Sequence, residues 1–94
     1  MNKLDSEKLA CIFKVFSVET RIRMLELLKD RSLCVNALAR TLNITSAAVS
    51  QHLRILRSAN MLKAEKRGYF VHYSINGKAV EKLKSIMEKF LIIK

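Results

Sequence analysis

Ser46, Ala47, Ser50, Gln51, Arg54 and Arg57 lie close together in a 94-residue chain, and no Asp or Glu occurs anywhere between Leu42 and Met61. Serine hydroxyls donate or accept hydrogen bonds, a glutamine amide pairs bidentately with adenine, and a small alanine lets a backbone approach closely or meets a thymine methyl. The two arginines, about one and two helical turns further on, have the reach and charge for phosphates. This is the chemistry that a helix brings to the major groove of DNA. The alternative is an ordinary amphipathic helix with a solvated polar face, but such a face is usually richer in Glu and Lys.

The element that must position these groups is a helix over about residues 45–59. Thr45 can cap its N-terminus, and Asn60 can take the left-handed conformation that ends one. At about 100° per residue, Val49, Leu53 and Leu56 share one narrow sector, opposite the hydrogen-bonding and basic residues. Before it, Val35, Leu38, Ala39 and Leu42 form an apolar stripe at i, i+3, i+4 and i+7, which predicts a short third helix. Only Asn43-Ile44-Thr45 separates the two, and Asn43 tolerates positive φ. Two helices joined so tightly have the spacing of a helix-turn-helix, in which the second helix enters the groove.

After Met61 the period changes to alternation. Leu62 to Arg67 and Tyr69 to Ile75 read as two strands, the second with Val71, Tyr73 and Ile75 on one side and Phe70, His72 and Ser74 on the other. Gly68 supplies the freedom of a tight hairpin turn. The result is a wing over about residues 62–75, with Lys66 and Arg67 at its tip placed for flanking phosphates or a narrow minor groove. The same charges would also serve to protect an edge strand. Residues 36–73 hold six Lys or Arg against one acid, Glu65, which favours the DNA contact.

The remaining helices frame this unit. Asp5 or Ser6 can cap a first helix reaching about Phe16, with Leu9, Ile12, Phe13 and Phe16 at helical spacing. Ser17 offers a cap for a second helix, Glu19 to Lys29, with Ile22, Leu25 and Leu28 inward and Arg21, Arg23 and Glu26 outward. A last helix from about Gly77 to Ile92 places Val80, Leu83, Met87 and Phe90 on one stripe and Ala79, Ile86 and Ile93 on a second, extended by Leu91 and Ile92. That apolar surface exceeds what one small core covers and predicts a subunit interface, shared with Ile12, Phe13 and Phe16 of the first helix. A two-fold dimer would set two recognition helices roughly 34 Å apart and imply a palindromic site.

Length and composition agree with this plan. Ninety-four residues predict a single domain over 1–94 that a partner subunit would help stabilise. The formal charge of +10 favours a polyanion such as nucleic acid or an anionic membrane surface. No apolar run approaches the roughly 20 residues that span a bilayer, and Met-Asn-Lys-Leu-Asp-Ser-Glu-Lys lacks a secretory pattern, so the expectation is a soluble, cytoplasmic protein with no membrane partner. With no proline and two glycines, the chain reads as mainly α with a small β-hairpin, a winged helix-turn-helix in the order α-α-α-α-β-β-α. No phosphate-binding glycine loop, zinc-hydrolase spacing or Ser, His and Asp constellation supports an enzyme; His52 and His72 read as surface or packing residues.

With these pieces assembled, nearly the whole chain resembles the ArsR/SmtB family of small winged-helix repressors. Ile44-Thr-Ser-Ala-Ala-Val-Ser-Gln-His-Leu-Arg-Ile-Leu-Arg is similar to the family's recognition helix and is the most specific match. Ser17-Val-Glu-Thr-Arg-Ile-Arg-Met-Leu-Glu-Leu-Leu resembles its second helix, with Glu19 where proline is usual. Asn60-Met-Leu, Arg67-Gly68 and Val71-His-Tyr-Ser-Ile resemble its turn and wing, with Asn60 in place of a customary glycine. The resemblance implies a homodimer on double-stranded DNA with a palindromic operator, and puts Ser46, Ala47, Ser50, Gln51 and His52 on or beside the operator-reading surface.

The resemblance also implies a sensor, and here the chain departs from pattern. Where the family's third-helix metal motif has two cysteines around a valine, this chain has Leu33-Cys34-Val35-Asn36. A soft-metal site needs several thiolates, and Cys34 alone is not one. Cys11 is the only other thiol. A Cys11 and Cys34 pair would make a weak two-thiolate site for a metal or metalloid effector, or a redox disulfide, if folding brings them close. In a reducing cytoplasm both read more simply as small hydrophobes. The family's His and acidic site on the last helix has no histidine here. No cofactor or resident metal is expected. Besides regulation of transcription, two other classes remain open: a winged helix that binds RNA by shape and charge, which the groove-reading face argues against, and a dimeric protein-interaction module.

Overall fold

Asn2 starts the chain's first turn of helix: its Oδ1 accepts from the Asp5 N–H at 2.8 Å, so the cap lies upstream of the expected Asp5 or Ser6. The computed structural model describes residues 1–92; Ile93, assigned to the second stripe of the last helix, lies outside them. The elements run α1 (Lys3–Phe16), α2 (Glu19–Leu27), α3 (Val35–Leu42), α4 (Ser46–Ser58), β1 (Leu62–Arg67), β2 (Phe70–Ile75) and α5 (Gly77–Leu91). This is the expected order.

Ser17 does not cap α2. Its Oγ donates to the Lys14 carbonyl at 2.6 Å, which also accepts the Ser17 N–H at 3.3 Å, so it closes the end of α1, while α2 begins after Val18 with no side-chain cap and ends at Leu27, short of Lys29. The inward face of α2 also differs from expectation. Met24 and Leu28 are buried, whereas Ile22 is exposed and Arg21 is half-buried.

The helix-turn-helix follows the sequence closely. Asn43 ends α3 in the left-handed region at φ 55, ψ 47, and the Thr45 Oγ1 accepts from the Ala48 N–H at 3.1 Å to start α4. Asn60, at φ 63, turns the chain out of α4 and is tied down by Asn76, whose Nδ2 donates to both the Asn60 carbonyl and Oδ1 at 3.1 Å. Asn76 also caps α5, its Oδ1 accepting from the Ala79 N–H. One asparagine thereby joins the end of α4 to the start of α5.

The two strands pair antiparallel from Leu62 opposite Ile75 to Arg67 opposite Phe70. Gly68, at φ 63, occupies the first position of a two-residue turn, where glycine bears no Cβ penalty. Tyr69 belongs to that turn rather than to the second strand. Burial along β2 follows distance from the tip rather than alternation: Phe70 and Val71 are exposed, and His72 to Ile75 are half-buried, with Tyr73 and Ile75 packed against the core. A feature without sequence warning lies on the other edge of β2, where the Leu33 and Tyr73 backbones exchange two hydrogen bonds of 3.0 and 2.9 Å.

The main core joins Val15, Met24, Leu28, Leu38, Leu42, Val49, Leu53, Leu56 and Leu62. Each such aliphatic side chain removed from water contributes about 1.5–3 kcal/mol, and no polar residue among those described is buried with them. Leu9, Met61 and Ile86 are buried outside this cluster and line a groove of about 320 Å³ between α1, the end of α4 and α5. The molecule measures 49 × 23 × 20 Å with a radius of gyration of 14.4 Å, against about 12 Å for a compact chain of this length. Its elongation leaves apolar surface uncovered.

Candidate nucleic-acid interface

Val49, Leu53 and Leu56 anchor α4 in the core, and this fixes the helix's outward face. Ser46, Ala47, Ser50, Gln51, Arg54 and Arg57 are all exposed, as the wheel requires. Thr45 is exposed too, but its hydroxyl oxygen is engaged as the helix cap. Ser50, Arg54, Arg57 and Ser58, with Leu53 and Tyr73, line a cleft of about 370 Å³ where the second half of α4 faces β2. Two guanidiniums and two serine hydroxyls, with the Tyr73 phenol, around one open cleft suit a phosphate group.

His52 is set apart from this face. It is half-buried, and its Nδ1 accepts from the Arg21 Nε–H at 3.2 Å, while the Arg21 Nη1 donates to the Val15 carbonyl at 3.3 Å. An imidazole that accepts at Nδ1 is neutral with its proton on Nε2. Burial, and then the Arg21 charge, hold its pKa below the ordinary 6.5. Arg21 thus ties the end of α1, the start of α2 and the flank of α4 together. The sequence reading placed Arg21 outward and missed this role; its only signal was a basic residue near the start of an amphipathic helix.

At the hairpin tip both expected cations are exposed. Arg67 is engaged by Glu65 at 3.4 Å, so part of its charge is spent locally. Lys66 has no ion-pair partner among the described residues.

The residues assigned to a subunit interface divide. Phe13 and Phe90 are 43% and 50% exposed and meet edge to face at 6.2 Å. Ile12, Val80, Leu83 and Met87 are half-buried. Phe16 packs against the chain's own core, which removes most of its surface from any partner. Lys89 approaches Asp5 at 4.0 Å and helps hold α5 against α1.

Cys11 and Cys34 are both free thiols. Cys11 lines the groove beside α5, and Cys34 does not; Cys34 instead occupies the N-cap position of α3, next to the Leu33 tie to β2. Among the described residues no group of three or more His, Cys, Asp or Glu side chains could hold a metal ion, and no helix is long and apolar enough to cross a membrane.

Comparison with known proteins bears on the same elements. The family described as "Bacterial regulatory protein, arsR family" matches residues 19–64, from the start of α2 into β1. The transcriptional repressor SdpR of Bacillus subtilis is 35% identical over 65 residues, covering 69% of this chain and 72% of that one. The transcriptional activator HlyU of Vibrio cholerae is 27% identical over 85 residues, covering 90% and 79%, and a solved structure of HlyU superposes with a TM-score of 0.79 over 97% of this chain and 98% of that one. The homodimeric winged helix-turn-helix DNA-binding domain of a Mycobacterium bovis protein superposes with a TM-score of 0.74 at 24% identity, covering 89% and 78%. The matched relatives are regulators of transcription rather than enzymes.

Proposed function

Because this chain belongs to the arsR family of transcriptional regulators, we propose that it acts in the cytoplasm as a homodimer on duplex DNA. The unit formed by residues 1–94 sets α4 in the major groove of each half of an inverted-repeat operator and lays the hairpin on the flank. The observation that carries this reading is the acid-free face of α4, with Ser46, Ala47, Ser50 and Gln51 exposed on a helix whose other side is locked into the core. Gln51, with the serines, reads base edges; Arg54 and Arg57 hold phosphates at the cleft beside β2; Lys66 and Arg67 contact the flank. His52 supports the face from behind through Arg21. The dimer forms through Ile12, Phe13, Val80, Leu83, Met87 and Phe90, in keeping with the homodimeric M. bovis domain of the same fold.

Occupancy of the operator blocks transcription, the mode named for SdpR; HlyU, named as an activator, is the precedent for the opposite sign. DNA binding itself needs no cofactor. The separate surroundings of Cys11 and Cys34 give a shared thiol sensor no support. The acid-free face likewise speaks against an RNA-binding or purely protein-binding wing.

The test is to select tight duplexes from a random pool and titrate variants against the selected and a random sequence. Gln51→Ala should lower operator affinity by about tenfold or more while leaving random DNA nearly untouched, since a bidentate base contact discriminates by about 1–3 kcal/mol. Arg57→Ala should weaken both equally and flatten the salt slope by about one unit. Equal losses on both duplexes for Gln51→Ala would remove its base-reading role.

A further inference from the structure

The wing ends in aromatic residues that the basic-tip reading leaves unused. Tyr69 is 99% exposed and Phe70, beside it, is 53% exposed. Gly68 makes the turn so tight that Tyr69 sits at the apex, and Phe70 pairs directly across from Arg67 on the last rung of the ladder. The acid nearest the tip, Glu65, is paired with Arg67, so beside the aromatic apex Lys66 is the unpaired cation among the described residues and Arg67 lends the remainder of its charge. The root of the ribbon is clamped by Tyr73 and Ile75, half-buried against the core, and by the Leu33 bridge.

An apolar apex between cations, on a hairpin rooted in the domain, has the form of the wedges that proteins insert at base steps from the minor groove. Cationic shoulders suit the negative potential of that groove. The apex is also continuous with the proposed DNA face, because the cleft at the base of the ribbon already gathers Arg54 and Arg57. We infer that Tyr69, backed by Phe70, enters the minor groove beside the sequence held by α4 and packs against a deformable pyrimidine–purine step. The inference rests on the DNA-binding function proposed above and adds a second source of specificity to it, read through DNA deformability rather than through base hydrogen bonds.

The chain supplies its own reporter. It contains no tryptophan and two tyrosines, so Tyr73→Phe leaves Tyr69 as the sole tyrosine while keeping the ring that packs on the core; because Tyr73 also lines the cleft beside α4, the operator affinity of this variant is measured first and serves as its own reference. Full-length Tyr73→Phe protein is titrated with the selected operator, following tyrosine emission together with the anisotropy of a labelled duplex. Emission should fall in step with binding. In the wild-type background, Tyr69→Ala should lose about tenfold in operator affinity, within the range for one base–aromatic contact, whereas Tyr69→Phe should retain it. Replacing a TA or CA flanking step by G·C pairs should weaken the wild type and leave Tyr69→Ala unmoved. Operator binding with unchanged Tyr69 emission, or unchanged affinity in Tyr69→Ala, overturns the inference and turns the apex over to a protein partner. Failure to select any duplex would overturn the DNA-binding function itself, and the wedge with it.

Discussion

The α3–α4 pair and the α1–α5 pair are built from similar amphipathic helices, yet they treat their apolar faces differently. In α3 and α4, Leu38, Leu42, Val49, Leu53 and Leu56 are all buried. In α1 and α5 only Leu9, Val15 and Ile86 are buried, and Phe13, Phe90 and Leu91 remain open to water. The inner pair spends its apolar surface on one chain's core and leaves a polar face outside. The outer pair keeps apolar surface in reserve, which is the property of an assembly interface rather than of a domain surface. In the proposed function, reading and assembly therefore fall to separate helices of one small fold.

The largest expected effect tests the inner half of that contrast. Leu56→Ala should cost about 3 kcal/mol by opening a cavity in the core, measured as a lowered urea midpoint with an unchanged slope. A cost below about 1 kcal/mol would mean that α4 is not anchored as described. Next comes the outer half. The double variant Phe13→Ser, Phe90→Ser should raise the dimer dissociation constant by about tenfold or more, seen by sedimentation, while each chain keeps its helical circular dichroism. Loss of the helical signal instead would show that these rings belong to the chain's own core.

The smallest effect lies at the joint between the two halves, where Arg21 meets His52. The folded pKa of His52 is below the unfolded 6.5, so the unfolded chain binds the proton first as the pH falls. The contribution of this neutral imidazole to stability is complete above 6.5 and is lost as the pH drops from there through the lowered folded value. His52→Gln should flatten that part of the stability–pH profile. An unchanged acid-side slope would separate His52 from the joint.

What the sequence made legible was whatever repeats within a turn or two. The stripe of α3, the wheel of α4, Asn43 and Asn60 as left-handed stops, and Gly68 as a turn all depend on neighbours at most four residues away. Caps were less legible because Asn2, Asp5 and Ser6 compete for one helix start, and because the Ser17 hydroxyl serves the helix behind it rather than the one ahead. The contacts that escaped are those between distant residues. Arg21 and His52 are 31 residues apart, and the Leu33 and Tyr73 pairing depends on how the segment before α3 passes the hairpin. Ile22 was misassigned because it satisfies helical periodicity as well as Met24 does, and only packing decides which of them faces inward. In the candidate site, the exposed face of α4 was readable for the same reason as its buried one. Arg21's part in holding His52 was not.

The two hydrogen bonds between Leu33 and Tyr73 also bear on what the hairpin avoids. A two-stranded ribbon normally has two open margins, each a row of unmet amides and carbonyls on which another chain can crystallise a strand. Here the margin of β2 is partly closed by Leu33, and the margin of β1 carries Lys63, Glu65, Lys66 and Arg67. Exposed aromatics at the end of such a ribbon add to that hazard. Main-chain pairing shields one side and charge repels from the other, so the ribbon can hold out its aromatic tip without offering either margin for strand-by-strand growth.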